Sequence, residues 1–215
     1  MAENIKKLIK IGQKKHIENL HKTGEIFCNT LKFFKDCDKP DARFDRLEGS
    51  TKIGQYTELT IFSEKGDIVF SKNKEAGKTY LDKGFVSYFN ESASGNIFSC
   101  IAITEENEDD FFFEKYIAFD QEFKTFGDCA LIIENPKKFI NSFKQEIEKE
   151  GLEYYYGLVD YYNSKTDQRD LNVFCKEEAY KWQNEFRCFI KNNIKDHKTF
   201  SIGSIEKYSQ IINLI

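Results

Sequence analysis

The sequence predicts an α+β domain, and three observations carry that prediction. Short runs rich in Ile, Phe, Tyr and Val recur along most of the chain, helical periodicity is confined to a few segments, and the two do not alternate regularly. A doubly wound sheet needs strand and helix in alternation, so a mainly antiparallel arrangement is expected instead. The length of 215 residues suits a single domain spanning 1–215, and neither an internal repeat nor a boundary signal interrupts it.

Taken in order, residues 5–11 (IKKLIKI) read equally as a first strand or a frayed helix. Residues 16–22 place Ile17, Leu20 and His21 at helical spacing, with Gly24 as the stop. A strand over 25–29 and a helical turn over 30–34 follow. Residues 36–50 are polar and end in a loop signature, Asp45-Arg46-Leu47-Glu48-Gly49-Ser50. Runs at 56–62 and 68–71 flank a turn and predict a hairpin, and 84–90 and 96–104 supply two more strands. After a short strand at 131–134, Asn135-Pro136 opens the clearest helix, with Phe139, Ile140, Phe143 and Ile147 on one face and Gly151 at its end. Strands at 152–162, 185–190, 200–205 and 211–215 and a short helix at 176–182 complete the reading.

Composition narrows the function. With 32 Lys and Arg against 36 Asp and Glu, the net charge of −4 argues against a general nucleic-acid binder held by phosphate neutralisation. The charge is uneven, with nine Lys and five acids in 1–40 but one Lys and eight acids in 105–122, so a specific nucleic-acid substrate stays open. The six Cys form no CxxC pair and no zinc spacing, which predicts free buried thiols in a reducing compartment and no metal site. No run approaches a membrane span and no leader pattern is visible, so a cytoplasmic protein without a membrane partner is expected.

The stretch best suited to chemistry is Gln183-Asn184-Glu185. Side chains alternate along a strand, so Phe186, Cys188 and Ile190 form its core face, and Gln183, Glu185 and Arg187 share the other. A slip of one residue would bury Glu185 and Arg187, which fixes the register. An amide, a carboxylate and a guanidinium are thus presented side by side.

The run Phe174-Cys175-Lys176, Tyr180, Gln183, Glu185, Phe186, Arg187 resembles the third motif of ADP-ribosyltransferase-like proteins, in which a Gln-x-Glu or Glu-x-Glu pair opens a strand. Residues 16–20 (HIENL) with Gly24 are similar to the start of that fold, and Ser99 stands where such proteins often carry a Ser or Tyr. The resemblance implies two packed, mainly antiparallel sheets with flanking helices, in a split sandwich. It implies cleavage of the nicotinamide–ribose bond of NAD, with Glu185 at the ribose 2′-hydroxyl and Gln183 orienting the acceptor. His16, Ser99 and Arg187 would hold the dinucleotide, and a toxin or defence effector modifying a protein or nucleic acid would fit. The alternative on the same fold is a catalytically inert nucleotide- or protein-binding module.

Other features favour ordinary roles. His21 reads as a packed residue and His197 as an exposed one. The loop 43–49 reads as a salt-bridged turn, although Glu48 there could line a cleft as a second acid. Residues 167–170 lack a calcium-loop pattern, and the tyrosines at 154–156 and 161–162 read as alternating between core and surface. The acidic segment 105–114 holds Phe111-Phe112-Phe113, which suits a docking loop for a partner.

Overall fold

The structure, a computed structural model, describes residues 4–35, 47–56, 60–66, 68–71, 84–89, 94–108, 123, 125–193 and 196–214. The fold is α+β. Its first strand, β1 (Ile5–Gly12), leads into α1 (Lys14–Thr23), β2 (Glu25–Thr30) and α2 (Leu31–Lys35). The turn 47–49 then opens β3 (Ser50–Tyr56), followed by β4 (Thr60–Phe62), β5 (Ile68–Ser71), β6 (Gly84–Phe89) and β7 (Gly95–Thr104). Next come β8 (Cys129–Ile133), α3 (Pro136–Lys149), β9 (Glu153–Leu158), β10 (Asp160–Tyr162), β11 (Arg169–Asp170) and β12 (Cys175–Glu177). A 3₁₀ turn (Glu178–Gln183) leads into β13 (Glu185–Lys191), and β14 (Lys198–Ser201), a second 3₁₀ turn and β15 (Ser209–Asn213) end the chain.

The ambiguous run 5–11 is a strand because it lies between two others. β1 pairs antiparallel with β7 on one side and β8 on the other, so Leu8 is buried on one face and Ile9 and Ile11 on the opposite one. α1 stops at Gly24, whose φ of 67° is readily adopted without a Cβ. A Cβ there would also lie 2.1 Å from the Gly203 carbonyl oxygen. α3 starts where the Asn135 side chain accepts from the Lys138 N–H, with Pro136 in the first turn. Its Phe139, Ile140, Phe143 and Ile147 are buried, as the periodicity predicts.

The main sheet has eight strands, and β7 is its axis. One edge of β7 carries β13 along its length, from Glu185 opposite Ile101 to Lys191 opposite Gly95, and β9 pairs with the far side of β13. The other edge is shared. β1 pairs with the C-terminal half, where Ile9 lies opposite Ile101, and β2 joins only at Asn29 and Thr30, opposite Ile97 and Asn96. Between those registers β1 and β2 diverge, so this edge of β7 has no strand partner over residues 98–100 among the described residues. The sheet splits there.

Both faces of the sheet are covered. One packs α1 and α3 onto Leu8, Phe98, Cys100, Leu131, Phe186, Cys188 and Ile190, the core face expected for β13. The opposite face holds Ile9, Ile11, Ile101, Ile103 and Ile132 under Phe123, Phe126 and Trp182. Farther along it, Ile97 and Phe189 pack with Leu31.

Four expectations change in detail. The strand at 152–162 is broken at Val159, whose N–H donates to the Glu185 carbonyl, and the chain then turns to pair β10 with β12 in parallel. The segment 176–182 is a strand end followed by a 3₁₀ turn, not a helix. The strand at 200–205 ends at Ser201, before Gly203 with φ 76°. In the predicted hairpin, β4 and β5 do pair, but β3 ends at Tyr56 and 57–59 lie outside the described residues.

Candidate functional site

A cavity of about 580 Å3 opens where the sheet splits, a size typical of sites for one small ligand. The strands and turns around it each contribute a polar side chain: Lys10 from β1, Ser99 from β7, Lys176 from β12, and Glu185 and Arg187 from β13. Glu48 enters from the turn before β3, Gln183 from the 3₁₀ turn and His16 from α1, while Phe33, Phe34 and Phe126 add apolar walls. Gly127 lets the 125–127 loop close against β1, since a Cβ there would meet the Gly12 backbone at 2.1 Å.

Local structure fixes the Gln183–Glu185 pair. Asn184 between them adopts φ 40°, the left-handed region that Asn tolerates better than most residues. Its carbonyl accepts from the Ala102 N–H at 2.8 Å, and the Glu185 N–H donates to the Tyr161 hydroxyl at 2.9 Å. The chain thereby leaves the 3₁₀ turn and joins β7 with both side chains toward the cavity.

Around Glu185 lies a buried polar network. Its Oε1 accepts from Ser99 Oγ at 2.5 Å and from Arg187 Nε at 2.8 Å, and its Oε2 lies 3.3 Å from Lys176 Nζ. Arg187 also grips both oxygens of Glu48, at 2.6 and 3.1 Å, and donates to the Val173 carbonyl. Lys176 Nζ donates to Gln183 Oε1 at 2.8 Å and lies 4.8 Å from the centre of the Tyr180 ring. Glu48, Lys176, Gln183, Glu185 and Arg187 are all at most 7% exposed. Two carboxylates face two cations, so the formal charges of the four cancel.

Burial pushes the Glu185 carboxyl up, but Arg187 and Lys176 beside it and the hydrogen bonds from Arg187 and Ser99 outweigh that. The carboxyl is held well below the usual carboxylate range, so Glu185 is an anion at neutral pH. Burial alone would lower Arg187, yet Glu185 and Glu48 raise it further and keep it charged. Burial raises the Tyr161 hydroxyl well above its ordinary value.

Every residue expected at the site, namely Glu185, Gln183, His16, Ser99 and Arg187, lines this one cavity. Three of them sit differently from the expectation. Glu185 and Arg187 lie on the non-core face of β13, but that face is buried rather than open. Its polar pair sits between two apolar clusters, and Glu48 and Lys176 supply the countercharges that make burial tolerable. His16 is exposed in the first turn of α1, whereas the resemblance implies a His or Arg at the end of the first strand.

The cation on that strand is Lys10, which the sequence reading passed over. Its Nζ donates to the Ser99 carbonyl at 2.7 Å across the split and lies 4.8 Å from the centre of the Phe98 ring. Its signal was present, since a Lys two residues after Leu8 shares the strand face of a buried apolar residue. Glu48, weighed against a salt-bridged turn, is indeed paired, but as a buried member of this network.

His21 and His197 take the expected ordinary roles. His21 Nδ1 lies 2.9 Å from Ser209 Oγ, and His197 is exposed beside Asp196. Five Cys are free and buried; Cys37 lies outside the described residues. Among the described residues no group of His, Cys, Asp and Glu has the arrangement of a metal site. No helix among them is long and apolar enough to cross a membrane. Of the segment 105–114, residues 109–114 lie outside the described residues. Comparison with protein-family models, with curated proteins and with solved structures finds no match for the chain.

Proposed function

We propose that the chain is an ADP-ribosyltransferase-like enzyme that cleaves the nicotinamide–ribose bond of NAD and passes the ADP-ribosyl unit to an acceptor. One observation carries the reading: an ionised carboxylate, Glu185, stands in the wall of a ligand-sized cavity with Ser99 hydrogen-bonded to it and Gln183 and His16 on the same cavity. The antiparallel pairing of β13, β7 and β1 supports the reading by setting the carboxylate, the Ser and the first strand side by side.

The chemistry asks little of the protein. Nicotinamide departs as a neutral pyridine carrying the bonding electrons, so no general acid is needed. The sugar left behind is an oxocarbenium-like cation, which a fixed carboxylate in a desolvated site stabilises more in the transition state than in the ground state. Ser99 and Arg187 hold the Glu185 carboxylate in place, which removes the reorganisation it would otherwise undergo. A carboxylate offers about four lone-pair positions; the chain fills three on Glu185, leaving one for the ribose 2′-hydroxyl.

The test is release of nicotinamide from NAD, followed by chromatography, for the wild type and Glu185→Gln. A loss of at least about a hundredfold is expected, the scale of removing one preorganised electrostatic contact. Equal release by both proteins would sink the role of Glu185. A second reading is favoured by the three partners and balanced charge already around Glu185, namely a module that binds a nucleotide without turning it over. Calorimetric binding of NAD with no nicotinamide released would select that reading.

A further inference from the structure

We infer that the acceptor is water, making the chain an NAD glycohydrolase rather than an enzyme that modifies a macromolecule. This rests on the NAD-cleaving reading above and names its second substrate.

The observation is the state of Gln183. In the resemblance that side chain orients the acceptor nucleophile, which requires its carbonyl to face the incoming group. Here Gln183 Oε1 accepts from Lys176 Nζ at 2.8 Å, and the same ammonium lies 3.3 Å from Glu185 Oε2. A cation of this chain therefore stands between the amide and the carboxylate, where the polar end of a macromolecular side chain would have to be received. Lys176 is held there from both sides. It is 3% exposed, it lies over the Tyr180 ring, and β12 is fixed by pairing with β10 at Tyr161 opposite Lys176.

Displacing the ammonium would bury it without a carboxylate or strip the carboxylate of a countercharge, and either is costly. Gln183 itself is 4% exposed, so a side chain reaching it from another macromolecule would have to pass through the cavity that the dinucleotide occupies. Water needs neither the Gln183 carbonyl nor that room.

The balanced reaction is simple. The ribose C1′–nitrogen bond breaks and nicotinamide leaves with its electron pair. The water oxygen forms the new bond to C1′, and its proton passes to solvent. The products are ADP-ribose, nicotinamide and one proton.

The experiment incubates the full chain with NAD labelled in its adenylate half, with and without total cell lysate. Nicotinamide, free ADP-ribose and label retained in protein and nucleic acid are measured together. Nicotinamide and free ADP-ribose should appear at equal rates, with macromolecular label at least roughly tenfold lower, since an acceptor denied a charge-assisted hydrogen bond loses that much or more. Label rising in step with nicotinamide would overturn the inference while leaving NAD cleavage in place. No nicotinamide in either arm would sink the NAD-cleaving reading and this inference with it.

Lys176→Met supplies a second readout, because it removes the ammonium from the Gln183 carbonyl. Supplied with agmatine as a small guanidino acceptor, that variant should raise the ratio of agmatine adduct to free ADP-ribose above the wild type. An unchanged ratio in a variant that melts cooperatively would also count against the inference. If the variant does not fold, the product partition of the wild type still decides.

Discussion

Arg187 holds Glu185 through Nε at 2.8 Å and, with its terminal nitrogens, grips Glu48, a residue 139 positions away in sequence. One guanidinium thus joins β13 to the turn before β3 inside the protein. Replacing it by Met would leave Glu48 and Glu185 buried on the same wall with only Lys176 to offset them. Removing one partner from a buried ionic cluster costs about 3–5 kcal/mol. Urea unfolding of Arg187→Met should show a loss of that order, and a loss below about 1 kcal/mol, the scale of an exposed pair, would contradict the buried geometry.

The same cluster sets a dependence on acid. Burial opposes ionisation of Glu185, but Arg187, Lys176 and Ser99 prevail and hold its folded pKa well below the ordinary value. A group depressed in this way contributes stability that is complete above its unfolded pKa, about 4.3 for Glu, and is lost as pH falls through the folded one. The contribution should be flat near neutrality and decline below about pH 4. Denaturant midpoints measured across that range should fall more steeply for the wild type than for Glu185→Gln. Parallel curves would show that Glu185 is not held as an ion.

Thiol chemistry tests the core. Burial pushes Cys100 and Cys188 up to about 12 and raises Cys28 well above its usual value. The nucleophile is the thiolate, so these three should resist alkylation by iodoacetamide at about pH 8 in the native state and react once denatured. Peptide mass mapping after a short pulse reads this directly. Rapid native labelling of Cys188 would mean that β13 is not packed as described.

Much of the fold was legible because local and tertiary signals agree there. α3 announces itself through Asn135-Pro136, a four-residue apolar stripe and Gly151, and each survives in the structure. β13 was legible for the same reason, since Phe186, Cys188 and Ile190 mark its core face. Its other face was harder. Charged residues alternating with apolar ones ordinarily face solvent, and the partners that bury Glu185 and Arg187 come from residues 48 and 176, on segments that no local pattern connects to β13. The break at Val159 was hidden likewise, because the hydrogen bond that turns the chain there is donated by its N–H to the distant Glu185 carbonyl. Lys10 was written in the strand pattern, but its place at the site depends on the divergence of β1 and β2, a purely tertiary fact.

Glu48 offers the sharpest test of whether the network serves catalysis or only the fold. Its carboxylate shares Arg187 with Glu185, so its charge limits how far the guanidinium neutralises the anion facing the cavity. Glu48→Gln keeps the shape and an acceptor for Arg187, and Arg187 stays paired with Glu185, so no charge is orphaned and the melting temperature should fall only modestly. The four charges would then sum to +1 instead of zero. At an effective dielectric of 20 and a separation of roughly 8 Å, one extra positive charge costs a cation on the ribose on the order of 2 kcal/mol; the cationic nicotinamide ring meets part of this before cleavage, so the step slows about threefold or more. Nicotinamide release should therefore drop in kcat by that factor, because cleavage moves the positive charge of the nicotinamide ring onto the ribose that faces the network. A variant that melts like the wild type and keeps kcat within twofold would assign Glu48 to the fold alone.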